Sequence, residues 1–271
     1  MTESLKQQDL TDNEKINRVL NRIYRHQLRY DKKVAQLQAD FDRVCKKMQG
    51  CYKELNFADL LHDTVINSTW LKDKSFSLHG WAANYSFIYM LYRILDNAKP
   101  QHILEMGMGQ TSRLTSQYVA YCNPNATVDI IENDAGWIAT YQPQLAQSEH
   151  TKVYQRDLEF FTYDNTECRK YKDLNEVIGT KKYDLIIVDG PWGATQNLPR
   201  SNVLDIIKNH NLADDFIIIF DDTERKGEQN TSAQAITLLK EQNIEPTVFY
   251  RAGTKAQTYI TSQSKSFIQF L

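Results

Sequence analysis

From Ile16 to Leu55 the apolar residues return at alternating four- and three-residue steps. The series is Ile16, Leu20, Ile23, Tyr30, Val34, Leu37, Phe41, Val44, Met48, Cys51 and Leu55, with Gln27 as its one polar member. A 3.5-residue repeat held over about five heptads predicts a long helix whose narrow apolar stripe supercoils with another helix. With Leu20 as an a position, Gln27 is one too, where a buried amide fixes register at some cost in stability. The flanking e and g positions (Tyr24, His26, Lys33, Gln38, Asp40, Lys47) spell no charge code that would name a partner. Two arrangements answer to the stripe: self-association into a homo-oligomer, and a long amphipathic helix folded onto its own domain. Gly50 weakens the C-terminal end of such a helix, because glycine costs about 1 kcal/mol relative to alanine there.

Residues 56–80 (NFADLLHDTVINSTWLKDKSFSLHG) break into short helical pieces and a loop, a plausible hinge. Beyond Trp81 the pattern changes to strand-like runs at 102–106, 127–132, 152–157, 183–189, 215–220, 246–251 and 257–262. Helix-like stretches fall between most of them, around 84–97, 111–122, 134–147, 199–209 and 229–242. This alternation predicts an α/β fold, a mostly parallel sheet with helices on both faces. The last two runs are joined only by a few residues around Ala252–Gly253–Thr254, so they form a terminal antiparallel hairpin. The stretch from Leu158 to Lys182 reads as one long connection, and a connection of that length is a candidate substrate wall. The predicted organisation is a coiled-coil helical segment at 1–56, a linker and lid at 57–80, and an α/β domain at 81–271.

Composition narrows the setting. A chain of 271 residues has core enough for a large domain and an appendage. A net charge of −2 offers no general attraction to nucleic acid or to an anionic membrane, so neither is expected as a partner. The polar N-terminus lacks the apolar core of a signal peptide, and the stretch from Trp81 to Tyr92 is too short to span a bilayer. Cys45, Cys51, Cys122 and Cys168 show no zinc-ligand spacing and read as reduced thiols. These features predict a cytoplasmic protein.

The chemistry begins at HILEMGMGQTSRL, a strand, a tight turn and a helix start. Gly107 and Gly109 let the backbone approach a ligand, while Thr111 and Ser112 cap the helix whose first N–H groups would face it. A dinucleotide fingerprint would need glycine at Ser112, and Glu105 at the strand end is ill placed beside a pyrophosphate. A cationic amino group suits that carboxylate better. On these residues the sequence resembles the class I S-adenosylmethionine-dependent methyltransferases, whose first motif is an acidic residue followed by Gly-x-Gly. The resemblance covers residues 81–271 and implies their Rossmann-like seven-stranded sheet, with S-adenosylmethionine as cofactor. Thr111 departs from the third glycine of many members. The resemblance also implies that Glu132, closing the second strand, accepts from the ribose hydroxyls, and that Asp157, closing the third, holds the adenine amino group.

The fourth strand ends in Asp189, within YDLIIVDGPWG, and the fifth in Asp221 and Asp222, within FIIIFDDTER. Two routes to methylating an alcohol fit these carboxylates. In one, Asp189 or Asp222 is the general base. In the other, Asp189, Asp221 and Asp222 hold a divalent cation, resembling the catechol-type O-methyltransferases and implying magnesium. His79, just upstream of the domain, is a further candidate base, and His79, Trp81 and Tyr85 lie in the expected lid. The stretch DGPWGATQNLPRSNVLDII, followed by DDTERKGE, resembles glucuronoxylan O-methyltransferases more loosely and implies a small-molecule or glycan hydroxyl substrate. It departs from them at Asp221, where histidine is expected. Arg200 and Arg225 would either bind an anionic substrate or stand solvated. Two other classes remain open: a non-catalytic coiled-coil adaptor that retains a cofactor pocket, and a nicotinamide-dependent oxidoreductase.

Overall fold

The computed structural model describes residues 2–78, 80, 82–193 and 195–271, with side chains from residue 12 onward. The chain divides into two compact units, Met1–Gln49 and Gly50–Leu271. Helix α1 (Thr2–Val65) makes up the first unit and opens the second. Along the first unit every apolar member of the 4-3 series is exposed, from Ile16 and Leu20 to Val44 and Met48. Among the described residues no helix is long and apolar enough to cross a membrane.

The second unit follows the predicted alternation. Its elements are α2 (Tyr85–Ala98), β1 (His102–Met106), α3 (Gln110–Gln117), β2 (Thr127–Glu132), α4 (Ala135–Tyr141) and β3 (Thr151–Gln155). Then come β4 (Leu158–Tyr163), β5 (Thr166–Tyr171), α5 (Asn175–Ile178), β6 (Tyr183–Val188) and α6 (Asn202–Lys208). The chain continues through β7 (Leu212–Phe220), α7 (Lys226–Glu241), β8 (Thr247–Ala252) and β9 (Ala256–Thr261). Seven strands form one sheet in the order β3-β2-β1-β6-β7-β9-β8, with β9 antiparallel to both its neighbours. This is the Rossmann-like, mostly parallel sheet with a terminal antiparallel hairpin that the alternation predicts.

The period of two along the central strands builds two cores. Ile103, Leu185 and Ile187 face one side, where they meet α2 and α3. Leu104, Met106, Ile186 and Val188 face the other, packed with α6, α7 and β5. Both faces are covered, so Ile103 and Leu104 of β1 and residues 185–188 of β6 are apolar toward both sides, with the buried Glu105 as the exception in β1. Each such fully buried aliphatic contributes about 1.5–3 kcal/mol relative to exposure.

Two stretches are built differently from the sequence reading. The helix does not end near residue 56: Leu61, Val65, Trp70 and Leu71, expected in a linker, are buried in the core beside α2. Gly50 lets it pass, because a Cβ there would stand 3.1 Å from the Gly253 carbonyl oxygen of the β8–β9 turn. One turn further, Glu54 accepts from Asn84 Nδ2 (2.8 Å), Thr254 N (2.9 Å) and Tyr85 N, pinning α1 to two loops at once. The second difference is the expected long connection after Leu158. It contains the hairpin β4–β5, a separate two-stranded sheet turned by Asp164 and Asn165, both at positive φ. Those two residue types tolerate the left-handed region, which makes Asp-Asn a hairpin signal between the alternating runs on either side.

Candidate active site

The cleft opens at the carboxyl edge of the parallel strands between β1 and β6. There the chain order reverses, running to β2 and β3 on one side and to β7 on the other. Open α/β sheets bind ligands at this switch. Two glycines shape its floor. Gly107 follows β1 with φ +96°, and a Cβ on it would stand 2.8 Å from the nitrogen of Gly190, which follows β6. A Cβ on Gly190 would stand 2.7 Å from Gly107 Cα and collide with the Tyr171 hydroxyl. Only glycine fits either position. The cleft encloses about 310 Å³ over this contact, walled by Glu132 and Trp137 on the β2 side and by Asp189, Arg200 and Asp222 on the other.

On the β2 side, Glu132 accepts from Met108 N (3.0 Å), Asn133 N (2.7 Å) and Asp134 N (3.0 Å). A carboxylate offers about four acceptor sites, so one remains for a ligand. Trp137 donates its indole N–H to Met108 O at 2.6 Å, which fixes the ring as a flat wall of the cleft. Asp134 orients it further by capping α4 through Trp137 N (2.9 Å). Trp137 escaped the sequence reading; the signal was an aromatic in the first helical turn after an acidic strand end.

Glu105 does not reach the cleft. It is fully buried and accepts from the hydroxyls of Ser112 (2.8 Å), Thr115 (3.0 Å) and Thr111, so Thr111 and Ser112 are also turned inward. Burial pushes its carboxyl up to about 7 despite these three partners. Glu105 thus braces the glycine turn from below. Gly109 caps α3, its N–H donating to Ser112 Oγ (3.0 Å). Asp157 is also displaced. Strand β3 ends at Gln155, the chain turns into the β4–β5 hairpin, and Asp157 faces a separate depression with Arg156, Lys172 and Asp173. His79 and Trp81 lie outside the described residues, while Gly80 between them lines the cleft.

No model of a known protein family matches the chain, and no curated protein does. Among solved structures it is similar to the O-methyltransferase TomG from Streptomyces achromogenes in complex with S-adenosylmethionine. That match has 12% identity and a TM-score of 0.48, over 76% of this chain and 89% of that one. A Bacillus cereus O-methyltransferase is similar at 11% identity and a TM-score of 0.46, over 76% of this chain and 90% of the other. A Podospora anserina methyltransferase bound to S-adenosylhomocysteine is similar at 16% identity and a TM-score of 0.42, over 83% and 96%.

On the β6–β7 side, Asp189, Asp221 and Asp222 converge, with one oxygen of each within 4.8 Å of the others. Fixed cations are already interleaved with them. Arg200 Nη2 lies 2.6 Å from Asp222 Oδ2 and 3.3 Å from Asp189 Oδ1. Arg225 Nη1 lies 3.0 Å from Asp222 Oδ2. Lys255 Nζ lies 3.4 Å from Asp222 Oδ1 and 3.6 Å from Asp221 Oδ2. Magnesium needs an all-oxygen shell at about 2.0–2.1 Å, and an ammonium and a guanidinium inside that shell repel it. The expected magnesium does not fit this donor set. Arg200 is corrected as well: it is buried and committed to the aspartates, neither a solvated arginine nor a free anion site.

The three carboxyls are set apart electrostatically. Burial and the Asp221 carboxylate push Asp189 up to about 7, against the pull of Arg200. Asp221, fully buried and accepting from Gln257 Nε2 (2.8 Å), is raised by burial and by Asp222. Asp222 moves the other way. Burial would raise it, but Arg200, Lys255 and Arg225 together hold it below the usual carboxylate range. Asp189 and Asp222 line the cleft and Asp221 does not. Asp189 is therefore the carboxyl near neutrality that faces the cleft. Tyr171 joins it from β5. Its hydroxyl is buried against the glycine floor with no hydrogen-bond partner among the described residues, and burial raises it well above the usual phenol range. It stays a donor that a ligand can satisfy.

Proposed function

We propose that the chain is an S-adenosylmethionine-dependent O-methyltransferase acting on small hydroxyl substrates, sugar hydroxyls among them. The single observation that carries this reading is the charge of the cleft. Glu132, Asp134, Asp189 and Asp222 line it, while Arg200 and Arg225 are paired to aspartate. Such a wall favours a ligand bearing an ammonium and a sulfonium, and disfavours the pyrophosphate of a dinucleotide. The Gly107–Gly190 floor admits close approach, the spare acceptor of Glu132 suits a ribose diol, and Trp137 suits an adenine face. When bound, the cofactor supplies an electrophilic methyl on a cationic sulfur that leaves as a neutral thioether.

The remaining work falls to this chain's own residues. Asp189 accepts the acceptor's hydroxyl proton, and the Tyr171 hydroxyl donates across the floor to hold the reacting groups. Trp192 stands half exposed at the cleft with Arg169 5.2 Å above its ring, and Arg169 also covers Phe160 at 5.9 Å. This aromatic rim supports a sugar ring as acceptor, since a pyranose presents an apolar face to stack. Calorimetry with S-adenosylhomocysteine and with NAD tests the cofactor: one-to-one binding of the former is expected, and binding of NAD alone sinks the reading. Acceptor extracts incubated with protein and cofactor should then yield a product heavier by one methylene.

We infer further that α1 pairs with α1 of a second copy. The exposed 4-3 stripe is self-matching, and a 3.5-residue period is what a left-handed pair requires. Gln27 would face Gln27 across the seam in a parallel pair. Sedimentation equilibrium is expected to give twice the 31.6 kDa chain mass, and a monomer at micromolar concentration would exclude this assembly.

A further inference from the structure

Asp221 and Asp222 each present a buried oxygen that receives no hydrogen bond among the described residues, Asp221 Oδ2 and Asp222 Oδ1. Both are nearly sealed from solvent. Two bare carboxylate oxygens side by side in a low-dielectric setting demand a cation. The group that answers is Lys255, from the turn just before β9, whose Nζ stands 3.4 Å from one of these oxygens and 3.6 Å from the other. Its side chain is largely buried, and the ammonium also donates to Ala82 O (2.9 Å), in the segment that leads from the cleft wall at Gly80 into α2.

We propose that Lys255 is the resident cation of this centre, occupying the place that a divalent metal takes among three such carboxylates. Arg200 completes the arrangement by bridging Asp222 and Asp189. Together with Arg225, these two cations hold Asp222 ionised, and Arg200 fixes the orientation of Asp189 at the cleft wall. Lys255 is thus a positioning residue: it does not line the cleft, and it acts through the aspartates that do. The proposal stands whether or not the cleft takes S-adenosylmethionine, because it concerns only which cation the aspartates hold.

The test uses the full chain, freed of metal with EDTA and dialysed, then titrated with Mn2+ and followed by the electron paramagnetic resonance of the free ion. The wild-type protein is expected to leave Mn2+ free. Lys255→Met removes the ammonium and leaves buried carboxylates uncompensated, so Mn2+ affinity should rise by roughly tenfold or more. Asp221→Asn in that background should abolish the gain, and Lys255→Arg should show none. Should Lys255→Met fail to fold by circular dichroism, Lys255→Gln, which keeps a donor for Ala82 O, carries the same expectation. Stoichiometric Mn2+ binding by the wild type, lost in Asp222→Asn, would overturn the proposal. So would a folded Lys255→Met or Lys255→Gln protein that takes no more Mn2+ than the wild type.

Discussion

The two units carry equally regular apolar patterns and treat them in opposite ways. In Met1–Gln49 the stripe from Ile16 to Met48 stays open, with Leu37 and Met48 68% and 66% exposed. In Gly50–Leu271 the apolar runs of β1 and β6 are sealed on both faces. A period of two meets its partners within the same unit, because neighbouring strands bring complementary faces together. Among the described residues the stripe on α1 meets no complementary face within its own unit and stays exposed. Burial, not periodicity, separates an element that completes a core from one whose apolar face stays open. The second unit extends this by capturing the last turns of α1 through Glu54 and the small Gly50.

The sharpest way to break the comparison is to charge the stripe. Leu20→Lys with Ile23→Lys should abolish self-association, seen as a fall in sedimentation mass, while S-adenosylhomocysteine affinity stays as it was. If affinity falls as well, the units are not separable in function. Next in size, Asp189→Asn should lower kcat by about 10²–10⁴-fold with cofactor binding retained, as loss of a general base does. Glu132→Ala should weaken S-adenosylhomocysteine binding by roughly 10–100-fold, the worth of hydrogen bonds to a charged acceptor. Unchanged calorimetry would remove Glu132 from the cofactor site.

Glu54→Ala tests the joint from the other side. It leaves the N–H groups of Tyr85 and Thr254 without their acceptor, so urea unfolding should report a loss of about 1–3 kcal/mol with the sedimentation mass unchanged. The pH dependences are smaller and distinct. Asp189 must be ionised to accept a proton, so kcat/KM should rise with pH and level off above about 7. Glu105 acts on stability instead. Its carboxyl lies at about 7 when folded against 4.5 as the ordinary value, so over that window the folded state holds a proton that the unfolded state has released. Stability should therefore fall as pH rises from 4.5 to about 7, and this dependence should become shallower in Glu105→Gln, the raised Asp189 carboxyl supplying what remains. A slope as steep in Glu105→Gln as in the wild type removes Glu105 from it.

Much of this was legible in the chain itself. Strand–helix alternation and the short link at Ala252–Thr254 were enough for the sheet and its single reversed strand, because local period and loop length decide those features. The glycine turn, Glu132 and the convergence of Asp189, Asp221 and Asp222 follow from one rule, that residues ending parallel strands share an edge. Direction along that edge is another matter. Whether Glu105 points up to a ligand or down to Thr111, Ser112 and Thr115 depends on where α3 lies. Whether Asp157 stays at the edge depends on the hairpin that carries the chain away. The partners of the aspartates lay furthest from reach: Arg200 is 11 residues beyond Asp189, and Lys255 is 33 beyond Asp222. Spacing in sequence announces a cluster of like charges, but only the packed sheet edge brings in the cations that neutralise it, because burying those carboxylates together is tolerable only when positive charge is buried with them.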